Sequence, residues 1–253
     1  MRASLTGIPE PWLRVLSLAA FVALWQVAAG LADSRLLPGP WVVLVGMYRG
    51  AVSGDLLVHV GITLARVAVS FVIAMAIGAA VGIVMGRNRR ADLLLDSWLV
   101  VGLNIPALVI IILCYVWFGL TEMAAILAVA INKIPLVVVT MREGARAIDR
   151  DLLQVAQAFR LSRRRAFLKI YLPQLYPYVM VSARTGLALI WKIVLVVELL
   201  GRSDGVGFKL FVFFQFFDIT SILAYSFAFI AVVMAIELLL LAPLERRLTA
   251  WRP

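Results

Sequence analysis

The sequence has one cysteine, one histidine and few charged side chains, and each shortage excludes a class of protein. Cys114 cannot form a disulfide within the chain, and with only His59 beside it the sequence lacks the ligand clusters that most zinc sites require. A single histidine also removes most histidine-based catalytic arrangements. We therefore expect no catalytic residue and no metal site in this chain.

Charge is also scarce, because 15% of the 253 residues are charged and 64% are hydrophobic. Together with a mean hydropathy of +1.02, this composition is outside the range of soluble domains and typical of a membrane protein. A spanning helix needs about 20 apolar residues. Runs of that kind predict six spans, at residues 15–32, 67–86, 97–121, 123–141, 175–200 and 219–236, the last continuing to residue 244.

The basic residues predict the direction in which these spans cross. Of the 24 lysines and arginines, sixteen fall in segments that are cytoplasmic if the chain starts inside, among them Arg2, Arg246, Arg247 and Arg252. This bias follows the positive-inside rule, so we expect both termini in the cytoplasm and attribute the net charge of +10 to it rather than to nucleic-acid binding. A cleaved signal peptide is the alternative for the first span, but its apolar run exceeds the roughly 7–15 residues typical of such peptides.

The connections outside the membrane carry two further predictions. Prolines at Pro38 and Pro40 end the first helix, and a short interfacial helix is expected at residues 41–47. Residues 201–218, rich in glycine and phenylalanine, are expected to form a tight outer loop that leads into the last span.

The longest predicted cytoplasmic segment, residues 142–174, contains an amphipathic pattern. Asp149 is a suitable N-cap, and Leu152, Val155, Ala156 and Phe159 follow at the i, i+3, i+4 and i+7 positions of one helix face. We expect a second turn after this helix and Pro173 to close the loop before the fifth span. The apolar face would be covered either by lipid headgroups or by a cytoplasmic partner.

This segment resembles the EAA motif of permease subunits in ATP-binding-cassette importers, written E-A-A-x-x-x-G-x9-I-x-L-P. In that family the short helix docks into a cleft of the ATPase. Gln154, Val155 and Ala156 stand at the E-A-A places, Arg160 at the G place, and Ile170, Leu172 and Pro173 match I-x-L-P. Arg160 in place of glycine removes backbone freedom, so the helix is expected to end differently from the family pattern.

Shorter motifs resemble the nitrate, sulfonate and taurine branch of the same family. They are Leu37-Pro38-Gly39-Pro40, Thr63-Leu64-Ala65-Arg66, Trp117-Phe118-Gly119 and Gly205-Val206-Gly207, in family order. The resemblance implies a type I importer permease fold, with residues 1–253 forming one transmembrane domain. It also implies a bacterial inner membrane location and an assembly with a second permease copy, two ATPases and a periplasmic or lipid-anchored binding protein.

ATP chemistry is expected in another subunit. A phosphate-binding P-loop requires Gly-Lys followed by Ser or Thr, and none of the four lysines follows a glycine. The chain is therefore expected to be no enzyme and to hold no cofactor, while ATP and magnesium bind the partner ATPase.

Three charged residues inside the predicted spans are candidates for the translocation path. Lys133, Lys192 and Glu198 are costly in a bilayer and usually face a bundle interior or a watery path. The lysines would offer positive potential to a transported anion, or alternatively pair with a carboxylate such as Glu237 or extend to an interface. The alternatives for the cargo are a vitamin or its precursor, and the alternative function is an ATP-independent channel or scaffold.

Overall fold

The computed structural model describes residues 10–244, apart from the side chains at positions 10, 11, 14, 150, 157 and 163. Arg2, Arg246, Arg247 and Arg252 lie outside the described residues, and so do both termini. Within that range the chain is helical and contains no strand. The helices are α1 (Glu10–Ala32), α2 (Pro40–Val52), α3 (Asp55–Arg87), α4 (Arg89–Asn104), α5 (Ala107–Phe118), α6 (Glu122–Arg146), α7 (Arg150–Ala158), α8 (Arg163–Ala166), α9 (Leu172–Gly201), α10 (Val206–Gln215) and α11 (Ile219–Ile236).

Five stretches of helix in the described chain are long and apolar enough to cross a membrane, which confirms the predicted all-α membrane architecture. They contain α1, α3, α6, α9 and α11. A sixth crossing requires α4 and α5 to act together, because these helices meet at an angle of 96°. The predicted third span, 97–121, is thus not one straight helix.

Pro106 explains the bend. A residue that precedes proline is driven out of the helical region of backbone space, and Ile105 has φ −70° and ψ 124°. Pro106 also lacks the N–H that would continue the hydrogen-bond ladder of α4. The run 97–121 carries no charge, so the search for long uncharged segments gives no sign of the turn.

The core of the bundle is the long contact between α3 and α6. Gly78, Gly82 and Gly86 recur every fourth residue on α3 and face α6. A methyl group added at Gly78 would lie 2.6 Å from Cβ of Val137, and one at Gly82 would lie 2.7 Å from the carbonyl oxygen of Val138. The small residues let the two backbones approach closely, as in many membrane helix pairs.

The ends of the bundle are distinguished by the short helices. The α7 end holds the C-termini of α3 and α6 and the start of α9, whereas the α10 end holds the start of α3 and the loop after α9. Helix α2 confirms the predicted short helix at 41–47 and extends it to Pro40–Val52. Residues 201–218 were expected to be a loop, but most of them form α10.

The segment between α7 and α9 differs from the prediction at Pro173. A π-helical segment, Phe167–Tyr171, joins α8 directly to α9, so Pro173 lies within a continuous helical path and does not close the loop. Because proline cannot donate a backbone hydrogen bond, it is tolerated where the ladder is already shifted. Ser162 marks the real start of this path, since its hydroxyl accepts from the N–H of Arg165 at 3.4 Å.

Candidate functional site

The amphipathic helix forms where the sequence predicts it, as α7. Asp149 caps it, because its carboxylate accepts the backbone N–H of Asp151 at 2.8 Å. The backbone N–H of Asp149 donates to the side-chain carbonyl of Gln174 at 2.9 Å. This bond ties the start of α7 to the first turns of α9, so the two helices are joined through residues that flank the whole EAA-like segment.

One face of α7 is anchored to the bundle. Leu153 packs against a buried cluster that contains Ile148, Tyr171 and Leu175, and Ala156 is only 2% exposed. Ala156 belongs to the predicted apolar stripe of Leu152, Val155 and Phe159, but the bundle covers it while those three side chains are exposed. Ala156 lies at the edge of that stripe, and its small side chain fits where α7 contacts the bundle.

The face of α7 next to the anchored one is apolar and uncovered. Leu152 is 46% exposed, Val155 50% and Phe159 77%. Asp149, Gln154 and Arg160 are exposed as well, whereas Ile170, Leu172 and Pro173 are half-buried on the path into α9. An exposed apolar patch rimmed by polar residues typically marks a surface that another molecule covers.

Arg160 ends α7 in a left-handed conformation, with φ 52°. The backbone N–H of Leu161 donates to the carbonyl oxygen of Ala156 at 2.9 Å, which is the 6→1 bond of a Schellman cap. The expectation that arginine makes the helix end differently is not met, because Arg160 adopts the backbone shape for which glycine is preferred.

The predicted path lysines do not share a site. Lys133 is 2% exposed, and its ammonium group has no hydrogen-bond partner among the described residues. It lies against Gly186 of α9, where an added methyl group would be 2.9 Å from Cε of Lys133. Lys192 is six residues further along α9, so it points to a different face of that helix.

Lys192 lines a groove of about 490 Å³ between α9 and α11. The walls are largely apolar, with Trp191 and Phe229 among the lining residues. At one end of the groove Arg184 and Glu237 form an ion pair of 3.0 Å. Lys192 is exposed and forms no ion pair with any described residue, so Glu237 neutralises Arg184 rather than either lysine.

Glu198 is fully buried at the α10 end and belongs to a charge cluster built around Arg66. Arg66 donates to Glu198 at 2.7 Å, to both oxygens of Glu122 at 2.7 and 2.8 Å, and to Asp204. Thr63 also donates to the carboxylate of Glu198, at 2.9 Å. Glu198 therefore faces no open path in this conformation.

The loop after α9 completes this cluster. The backbone N–H groups of Val206 and Gly207 donate to Thr63 and Glu198, each at 2.9 Å. Gly205 has φ 98° and passes so close to the carboxyl group of Glu198 that a side chain there would collide with it. Two sequence motifs and the candidate path residue Glu198, noted separately, thus meet in space. Arg66, an uncompensated charge at the start of a span, was the signal that could have linked them.

Comparison with known protein families matches residues 73–244 to the binding-protein-dependent transport system inner membrane component. The putative aliphatic sulfonates transport permease protein SsuC of Bacillus subtilis is 31% identical over 244 residues, covering 95% of this chain and 88% of that protein. The taurine transport system permease protein TauC of Escherichia coli is 27% identical, covering 94% and 89%. The bicarbonate transport system permease protein CmpB of Synechococcus elongatus is 29% identical, covering 82% and 77%.

Proposed function

The chain belongs to the family of binding-protein-dependent transport system inner membrane components, and on that premise we propose that two copies form the path of an importer for a small anion. It is a multi-pass membrane permease of the ATP-binding-cassette importer class. The relatives are named for aliphatic sulfonates, taurine and bicarbonate. A small organic sulfonate is therefore our first candidate for the cargo.

The exposed apolar face of α7 is the observation that carries the coupling mechanism. We place α7 in the cytoplasm, where Leu152, Val155 and Phe159 insert into a separate ATPase subunit that binds ATP and magnesium. Burying such side chains contributes about 1.5–3 kcal/mol each. The adjacent face is already held by the bundle, so movement of the ATPase is passed to the joined ends of α6 and α9.

The groove at Lys192 is the candidate path surface of this conformation. Lys192 is nine residues from the end of α9, about 14 Å along the helix axis and thus near mid-membrane. A charge at that depth costs about 2.5–3.5 kcal/mol when it faces lipid. A watery path closed by the second copy removes this cost, and the positive charge attracts an anion there. Lys133 joins the path only when α9 moves away from α6.

The coupling role is tested by Phe159→Ala and Leu152→Ala in the full-length chain expressed with its ATPase. We expect both substitutions to reduce co-purification of the ATPase and uptake driven by ATP, because each removes a side chain that fills the partner surface. Phe216→Ala is the matched control, since Phe216 is also highly exposed, at 79%, but follows α10 at the other end of the bundle. Equal behaviour of Phe159→Ala and Phe216→Ala in both measurements would refute the docking surface.

A further inference from the structure

A second groove, distinct from the exposed face of α7, lies between the end of α3 and the α7–α8 connection. Its volume is about 510 Å³. Leu153 and Ala156 of α7 form one wall, Leu161 and Phe167 continue along the connection, and Arg87 from the last turn of α3 forms the rim. The groove therefore lies along the anchored face of α7, beside the exposed face that forms the proposed ATPase surface.

The groove has both apolar and polar surface, and one of its edges is positive. The guanidinium group of Arg87 lies over the ring of Tyr171, with its carbon 5.1 Å from the ring centroid. Arg87 is exposed, and no described residue forms an ion pair or hydrogen bond with it. No carboxylate is among the residues that line the groove in the described chain. Guanidinium stacked on a ring keeps its N–H edge available for an oxyanion.

The position of the groove is that of a membrane surface. Arg87 ends one spanning helix, and the π-helical segment Phe167–Tyr171 leads into another. Phe167 and Leu168 are 40% and 47% exposed at this level. Arg89, Arg90, Arg164, Arg165 and Lys169 are exposed nearby in the sequence, and the chain as a whole is strongly basic. Basic pockets at the cytoplasmic ends of spans suit the anionic headgroups of the inner leaflet.

We propose that this groove binds an anionic phospholipid, with its phosphate on Arg87 and an acyl chain along Leu161 and Phe167. The lipid fills the space between the end of α3 and the α7–α8 connection, and it adds to the contacts that already anchor α7 to the bundle. Lipid and ATPase thus contact adjacent but separate faces of one helix. The two surfaces are separate, so loss of ATPase docking leaves lipid binding intact.

The proposal is tested on the full-length permease in detergent by native mass spectrometry and by exchange with vesicles. The vesicles are phosphatidylcholine alone or an equimolar mixture with phosphatidylglycerol. We expect phosphatidylglycerol to be retained in preference to phosphatidylcholine, and Arg87→Gln to weaken this preference about fivefold. Arg90→Gln is the matched control, because it removes the same charge at the same end of the bundle without touching the groove.

A second variant keeps the charge and changes the space. Leu161→Trp narrows the apolar wall, so it should reduce retention of phosphatidylglycerol while Arg87 remains. If Arg87→Gln and Arg90→Gln weakened the preference for phosphatidylglycerol equally, the lipid would be attracted to the basic surface in general, which would overturn the site. Equal retention of both lipids would mean that the groove does not recognise the headgroup. Displacement of the lipid by inorganic phosphate would mean that the groove binds a soluble anion. Either result would also overturn the proposed lipid site.

Discussion

Arg66 is held by three carboxylates while only 3% of its side chain is exposed. The helices that supply them come from distant parts of the chain, so the cluster joins α3, α6, α9 and the loop before α10. Glu198 and Lys192 are six residues apart, which is further than the i+4 spacing at which two side chains pair along one helix. Sequence spacing could not identify Arg66 as the partner of Glu198, because that contact depends on how α3 packs against α9.

Removal of Glu198 tests the strength of this cluster. We expect Glu198→Ala to lower the free energy of unfolding by about 3 kcal/mol, because it leaves part of a buried guanidinium without its counter-charge. Glu122 and Asp204 still neutralise Arg66, which keeps the loss at the lower end of the range for broken buried pairs. Unfolding in mixed micelles measures the difference, with Glu143→Gln as an exposed control. A loss no larger than that of the control would contradict the buried cluster.

The glycines give a sharper test of close packing. At Gly207 an added methyl group would collide with the carbonyl oxygen of Leu195, which is backbone and cannot swing away. We expect Gly207→Ala to lower the midpoint of thermal unfolding markedly. Gly61 has nothing within 4 Å of the same added carbon, and it lies inside α3, so Gly61→Ala should raise stability by up to about 1 kcal/mol. Similar effects of the two changes would argue against the packing at Gly207.

At the level of helices, Arg160 stores unfavourable backbone energy at the end of α7. A left-handed conformation costs a residue with a side chain about 1–2 kcal/mol relative to glycine. Arg160→Gly should therefore slow amide hydrogen exchange in α7 by removing that cost. Arg165→Gly is the control with the opposite expected effect. Arg165 lies inside α8, where glycine lowers helix stability and should speed amide exchange in α8. Faster exchange in Arg160→Gly would show that the arginine side chain itself stabilises the turn.

Hydrophobic runs and capping residues predicted which segments are helical, but not how each helix continues. Pro106 and Pro173 carry the same covalent restriction, yet one accompanies a bend of 96° and the other lies in an uninterrupted path. The difference lies in the neighbouring backbone, where a π-helical turn precedes Pro173. The hydrophobic pattern also could not predict which face of α7 is anchored. Leu152 and Leu153 are both apolar, and only contact with the bundle distinguishes them.

At the scale of the molecule, the two lysines should respond differently to neutralisation. An elementary charge about 4 Å from an anion contributes roughly 4 kcal/mol at an effective dielectric constant of about 20. Even partial loss of this attraction in Lys192→Met should weaken apparent affinity for an anionic cargo about tenfold. Lys133→Met should instead raise thermal stability, since it removes a buried cation that has no partner among the described residues. Initial uptake rates and unfolding midpoints separate the two effects.

The opposite pattern would move the path to the centre of the α3, α6 and α9 bundle. In that case Lys133→Met would abolish uptake while Lys192→Met left it unchanged. The family assignment would stand, but the groove between α9 and α11 would be a lipid-facing or subunit-facing surface. The membrane class and the presence of the amphipathic helix α7 could be predicted from sequence, whereas the location of the path depends on which side of α9 each lysine occupies.

The glycine seam between α3 and α6 has a mechanical consequence. At Gly78, Gly82 and Gly86 no side chain separates the two backbones. We therefore expect α3 and α6 to tilt or turn together as one rigid body. In the proposed coupling mechanism, a force applied at α7 would be transmitted along this helix pair to the α10 end of the bundle. The path would then open along a different border, such as the groove between α9 and α11.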